Sequence, residues 1–138
     1  MDMRRFDKGM DEIDTFNSYI GDIRIEGDVL SILFFNIGVS NHVLNEGENM
    51  KYIDRSVMVF NRVSSFIEDY SLDVVADTGV RPYYVGGYLM KDGVHKEFQV
   101  LCADAFLKVP DDFRISENMW NPYNMTKSVV RKFLEKHE

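Results

Sequence analysis

Residues 81–109 read RPYYVGGYLMKDGVHKEFQVLCADAFLKV, two strand-like runs, Tyr83 to Met90 and Val94 to Leu107, around Asp92-Gly93. Asp-Gly is favoured in two-residue hairpin loops because both loop positions need positive φ. With that pair as the loop, Met90 faces His95, Tyr88 faces Glu97, Gly87 faces Phe98, Val85 faces Val100 and Tyr83 faces Cys102. Alternation then sorts the side chains into two faces. Tyr83, Val85, Gly87, Leu89, Phe98, Val100, Cys102 and Phe106 share an apolar face, expected to be core. Tyr84, Gly86, Tyr88, Met90, His95, Glu97, Gln99 and Leu101 share a mixed face, expected to be partly wet. Phe98 should cover Gly87, as a cross-strand aromatic covers a strand glycine. Arg81 falls opposite Asp104, where the two charges satisfy each other if pairing runs that far.

The remaining apolar segments read as partners for this hairpin. Gly27-Asp28 repeats the turn signal and pairs Glu26 with Val29, Ile25 with Leu30, Ile23 with Ile32 and Gly21 with Phe34. Ile23, Ile25, Leu30, Ile32 and Phe34 form one face, but Ile20, Leu33 and Phe35 lie on the other. Such a sheet is partly covered on both sides, or keeps one side for a partner. Tyr52 to Val63 fits a strand, with Ile53, Val57, Val59 and Val63 alternating around Arg55 and Asn61. A helix competes there, since Val57, Phe60, Val63, Ile67 and Tyr70 fall three or four apart, and the β-branched content decides for strand.

Between these, residues 1–18 predict a short helix or irregular arm on the loose stripe Phe6, Met10, Ile13 and Ile20. Asn36 to Met50 reads as a loop and Asp73 to Thr78 as a short strand. Phe113 to Tyr123 has no clean period and should cross the sheet irregularly, with Trp120 as a lid on the core. Asn124 or Thr126 caps a final helix whose apolar stripe is Met125, Val129, Val130, Phe133 and His137. The expected fold is α+β, one domain over residues 1–138. It is mainly antiparallel β-sheet, a sandwich or partly open barrel built from hairpins, with a C-terminal α-helix.

The 138-residue chain is 45% hydrophobic, which is a globular composition able to bury a core. Its net charge of −7 argues against generic binding to nucleic acid or to anionic membrane, both of which need basic patches. Cys102 is the only cysteine, so no internal disulfide forms, and a reducing compartment is the simplest reading. The start lacks the apolar run of a signal peptide, and the expected location is the cytoplasm.

No cofactor or metal is expected. Gly86-Gly87 is the only glycine pair, and it lies within a strand with no lysine or helix following, unlike a phosphate-binding loop. His42, His95 and His137 lie too far apart for paired ligand spacing. His42 reads as a surface residue of its loop. Glu68, Asp69, Asp73 and Asp77 lack the glycine turn of a calcium loop and read as a solvated edge. Cys102 on a core face reads as a small hydrophobe rather than a nucleophile.

One polar constellation remains. His95 and Glu97 point the same way, with Tyr88 expected opposite Glu97. Three readings follow. The first is a binding module that presents an acidic, tyrosine-bearing face (Tyr84, Tyr88 and Glu97) to a basic protein partner. Immunity proteins that neutralise toxins are often of this size and charge, which makes them the nearest analogy. The second is a small enzyme or ligand-binding barrel using His95, Glu97 and Tyr88 for acid–base work. The third is a structural subunit that self-associates through a sheet face.

Overall fold

The computed structural model describes residues 3–68, 82–89 and 93–121, leaving aside the side chains of residues 82–84, 88 and 89. These residues are mainly antiparallel β-structure. A sheet of eight strands runs in the order β1-β11-β7-β4-β3-β9-β10-β8. Its members are β1 (Met3–Phe6), β3 (Tyr19–Glu26), β4 (Val29–Phe35), β7 (Ser56–Asn61), β8 (Ser65–Glu68), β9 (Pro82–Leu89), β10 (His95–Leu101) and β11 (Asp104–Pro110). A second sheet runs β12-β6-β5-β2, from β2 (Ile13–Asp14), β5 (Ile37–Val39), β6 (Lys51–Ile53) and β12 (Ile115–Ser116). Among the described residues the helical content is a single 3-10 turn, Met10–Glu12.

The second sheet continues the first around a corner. In the large sheet β11, β7, β4 and β3 are neighbours, and in the small one β12, β6, β5 and β2 stand in the same order. Each strand of the first set is joined to its counterpart by a short link. Between β4 and β5 that link is Asn36 alone, at φ 67. Asparagine tolerates this left-handed conformation better than most residues, so the chain changes sheets within one residue. Asp54 and Arg55 make the corresponding bend between β6 and β7.

The hairpin β3–β4 forms as its sequence predicts at the turn end: Gly27 has φ 62, Glu26 pairs with Val29 and Ile23 with Ile32. Farther from the turn a bulge between Ile20 and Asp22 shifts the register. Gly21 therefore does not face Phe34; Ile20 does, and it is buried in the core rather than turned to the opposite face. A Cβ on Gly21 would come within 2.6 Å of the Phe35 ring, so the glycine makes this bulge sterically possible. At the hairpin tip Ile25 is 64% exposed, against the expectation that it lies in the core.

The 81–109 stretch departs from its expected geometry in two ways. The β9–β10 register lies two residues from the one counted out: His95 faces Tyr88, Glu97 faces Gly86, Phe98 faces Val85 and Val100 faces Tyr83. A shift of two preserves both faces, which is why Phe98, Val100 and Val85 are still buried together. Gly93 has the positive φ expected of it, 63, while residues 90–92 lie outside the described residues. The second strand also stops at Leu101. Residues 104–110 form β11, which pairs with β1 and β7, so Asp104 faces Asn61, and Arg81 lies outside the described residues. Phe106 consequently belongs to a different hydrophobic cluster from Phe98.

Other expectations change as well. Residues 3–6 form a strand at the sheet edge, and the helical stripe through Met10 shrinks to the 3-10 turn. The loop read over 36–50 contains β5, whose Ile37 and Val39 are fully buried. The segment from Tyr52 is strand, as β6 and β7. Residues 113–121 are irregular apart from β12. The strand expected at 73–78 and the helix expected from residue 124 lie outside the described residues.

Both faces of the large sheet bury apolar side chains. Phe34, Phe60, Phe98, Ile32 and Leu107 belong to the main core, and Leu33, Phe35, Val57, Val59 and Phe106 to a second cluster on the opposite face. Truncating a buried phenylalanine to alanine costs about 3–5 kcal/mol, so either cluster is worth a large part of a domain's net stability.

Candidate functional site

Glycines 86 and 87 position the face that carries the sequence-predicted site. The turn Thr15–Ser18, between β2 and β3, crosses β9 at these residues. Gly86 N–H donates to Thr15 Oγ1 at 3.0 Å, and Ser18 Oγ donates to the Gly86 carbonyl at 3.3 Å. A Cβ on Gly87 would lie 3.0 Å from the Ser18 carbonyl oxygen and from Ile20 Cγ1. Gly87 is thus explained by this crossing and not by Phe98. The same turn carries Phe16, which is 52% exposed, and lays its ring on His95 with centroids 4.9 Å apart.

Along β10 the outer face changes character. His95 is half-buried beneath Phe16, Glu97 is exposed, and Gln99 is buried at 2% exposure. On β10 the wet part of this face is therefore the His95–Glu97 end. Tyr88 stands opposite His95 in the ladder and Tyr84 opposite Gln99, so Tyr88 does not face Glu97. Gly86 does, and the space a side chain would occupy there lies 3.6 Å from Glu97 Cγ and 3.8 Å from His95 Nε2. Lys96, on the other face, pairs with Glu68 of β8 at 3.6 Å.

A second polar assembly, missed by sequence reasoning, holds the corner between the sheets. Asp54 is fully buried. Its Oδ1 accepts the backbone N–H of Arg55 at 3.0 Å and of Arg114 at 2.9 Å. Its Oδ2 accepts from Arg55 Nη1 at 2.6 Å and from Arg114 Nε at 3.3 Å. Arg55 also reaches Asp112, and the Arg114 guanidinium lies 4.6 Å from the Trp120 ring centroid. Trp120 Nε1 donates to the Tyr52 carbonyl at 3.0 Å. A buried carboxylate with four donors is satisfied in full, and its partners are spent on structure. Trp120 acts here as a tie for the irregular segment.

Cys102 lies in the core, where its strand face places it. Cys102 is 2% exposed, and burial, with Asp104 nearby, pushes its thiol up to about 11. Glu68 is the one member of the 68–77 carboxylate set among the described residues, and it is half-exposed. No group of three or more His, Cys, Asp or Glu side chains among the described residues converges on a metal position. An open groove of about 590 Å³ lies at the β3–β4 turn, lined by Asp28, Val29, Asn61, Arg62, Ala103 and Asp104. Its charged residues are all exposed, so water screens them. His42 is buried, against the expectation of a surface residue. No described helix is long and apolar enough to cross a membrane.

Comparison with family models, with curated proteins and with solved structures found no match to this chain.

Proposed function

We propose that this chain is an acidic binding module that recognises a basic protein partner, in the manner of an immunity-type protein that neutralises a toxin. The observation that carries the reading is Phe16, an exposed aromatic seated on His95 beside exposed Glu97. Interfaces draw most of their energy from a few aromatic or arginine anchors, and Phe16 extends the surface that Tyr84, Tyr88 and Glu97 suggest. Surface charge supports it. Thirteen Asp and Glu residues are exposed among the described residues, against five Lys and Arg. Of those five, Arg5 and Arg114 are held by Asp7 and Asp54. Complementary charge speeds encounter with a basic partner more than it deepens affinity.

Cross-linking in native extract at low salt, followed by identification of the linked protein, tests the reading. A basic protein linked near residue 16 or 97, and lost with Phe16→Ala, supports it. Recovery of the chain linked only to itself would favour the self-associating subunit.

One observation favours the acid–base reading. His95 faces Tyr88, and Glu97 lies two residues along on the same face. That reading requires turnover abolished by His95→Ala. Cytoplasmic location belongs to the same proposal and rests on the single cysteine and the charge.

For the architecture, we read a partly open barrel. β7 runs on towards β8 as β11 runs back towards β10, and the two pairs are in nearly continuous register, Asn61 with Asp104 and Ser65 with Leu101. One ribbon thus supplies strands to both sides of the molecule. The C-terminal helix rests on sequence alone. A helical band in the far-ultraviolet circular dichroism of the whole chain would support it, and a pure strand spectrum would contradict it.

A further inference from the structure

His42 begins a compact loop packed on the 3-10 turn. Its backbone bonds reciprocally with Asn45, N–H to carbonyl at 3.0 and 2.9 Å. Asn45 Nδ2 donates to the Val39 and Asn49 carbonyls, both at 2.8 Å, and Asn41 N–H donates to the Gly47 carbonyl. The His42 ring fills the space between this loop and residues 6–12. It meets the Phe6 ring edge-on, with centroids 5.9 Å apart. A Cβ on Gly9, which has φ 79, would come within 2.6 Å of the ring. Leu44, next in the loop, and Met10, in the 3-10 turn, both pack on the main core.

The protonation state of the ring is fixed by one bond. His42 Nδ1 accepts the backbone N–H of Leu44 at 3.1 Å. An imidazole nitrogen accepts only when it carries no proton, whereas both nitrogens of imidazolium are donors. Nε2 is buried and has no hydrogen-bond partner among the described residues. A second proton would therefore destroy the bond to Leu44 and place a charge in a buried site, where the cost of burial outweighs the help of the Lys8 carbonyl and Glu12.

We propose that His42 is an acid-sensitive latch, which holds the 40–50 loop on the Gly9–Glu12 turn while neutral and releases it when protonated. Release would expose Leu44 and Met10 together with Phe6, an apolar strip next to Val43, which is already 65% exposed. Several charges surround the ring. Glu12 of the 3-10 turn favours protonation, as does the nearby Lys8 carbonyl, and burial outweighs both. Arg4 of β1 lies against the far partner, Phe6, with 5.2 Å to that ring's centroid. Glu46 and Glu48 of the loop itself are exposed. Burial holds the folded-state value below the ordinary 6.5. The unfolded or opened ring thus takes its proton first as pH falls. The stability contributed by the closed loop is fully present above pH 6.5 and is lost as pH falls through the folded value.

Hydrogen exchange of the 40–50 amides between pH 7.5 and 5, corrected for intrinsic rates, tests the latch on the whole chain. The expected result is protection of the Leu44 amide that drops by about tenfold per pH unit between 6.5 and the folded value, the slope for one proton linked to opening, and levels off below it. His42→Asn is the informative variant, because an asparagine oxygen can accept the same i+2 N–H in an Asx-turn and does not titrate. Protection in that variant should not fall with acid. His95→Gln should retain the wild-type pH dependence. Should the variant fail to fold, the ring resonances of His42 in the wild type decide. Titration below 6.5, in step with Leu44 deprotection, supports the latch, whereas titration at or above 6.5, or protection unchanged to pH 5, overturns it.

Discussion

Asn36 and Trp120, 84 residues apart, hold each other as two paired strand residues would. The Asn36 side-chain oxygen accepts the Trp120 N–H at 2.6 Å, and its amide nitrogen donates to the Trp120 carbonyl. Asn36 is also the residue that turns the chain from one sheet to the other, at φ 67. One residue thus sets the corner and fastens the segment that closes it.

Substitution at this position should separate the two roles. Asn36→Gly retains the backbone conformation and loses both bonds, which should cost about 1–3 kcal/mol for buried groups left without partners. Asn36→Ala adds the strain of positive φ and should be worse. Urea denaturation midpoints of the two variants provide the comparison, and equal midpoints would show that the conformation contributes nothing.

Asp54 should be the most sensitive carboxylate among the described residues. Removing one member of a buried, hydrogen-bonded charge group leaves the others uncompensated, at about 3–5 kcal/mol. Asp54→Ala should therefore destabilise severely. Asp112, 61% exposed, contacts the same Arg55, yet Asp112→Ala should cost at most about 1 kcal/mol, as for a solvent-screened pair. Thermal denaturation of both variants tests the ordering.

Gly87 and Gly93 should resist substitution for different reasons. Gly87→Ala drives a methyl group to 3.0 Å from the Ser18 carbonyl, so the Thr15–Ser18 turn must move and carry Phe16 with it. Gly93 has open space around it and φ 63. Gly93→Ala should cost only backbone strain, about 1–2 kcal/mol, and leave the environment of Phe16 unchanged. The amide shifts of residues 15–18 distinguish the two.

The Cys102 thiol, held at about 11, should react slowly with a thiol reagent at pH 8 and rapidly once the protein is unfolded. Rapid labelling of the native protein would place this thiol at the surface.

These particulars show what could be read from the sequence. Gly27-Asp28 and the alternation around it define the turn and the register of β3–β4 as far as Asp22, because turn and period are both local, whereas the bulge beyond it leaves no local sign. The two faces of β9–β10 are also legible, since parity survives a two-residue error in register. The register itself was not, because loop length at a turn is invisible to alternation. The corner was not legible either. Asn36 acts through Trp120, Asp54 through Arg114 and Arg55 through Asp112, each 57 or more residues away, and no local period records such pairing. Phe16 was missed in the candidate site because only the tertiary crossing at Gly86 and Gly87 brings it to His95. The burial of His42 had no signal beyond a glycine 33 positions earlier.

The most direct test of the binding-module account is the association rate of the cross-linked partner, once identified, with wild type and Phe16→Ala at low and physiological salt. Exposed charges are screened over about 8–10 Å at physiological salt. The account predicts association that slows by tenfold or more with salt, of order the steering effect, while dissociation changes little. It also predicts that Phe16→Ala accelerates dissociation and leaves the salt dependence intact. A rate indifferent to salt, with Phe16→Ala binding as tightly as wild type, would contradict it.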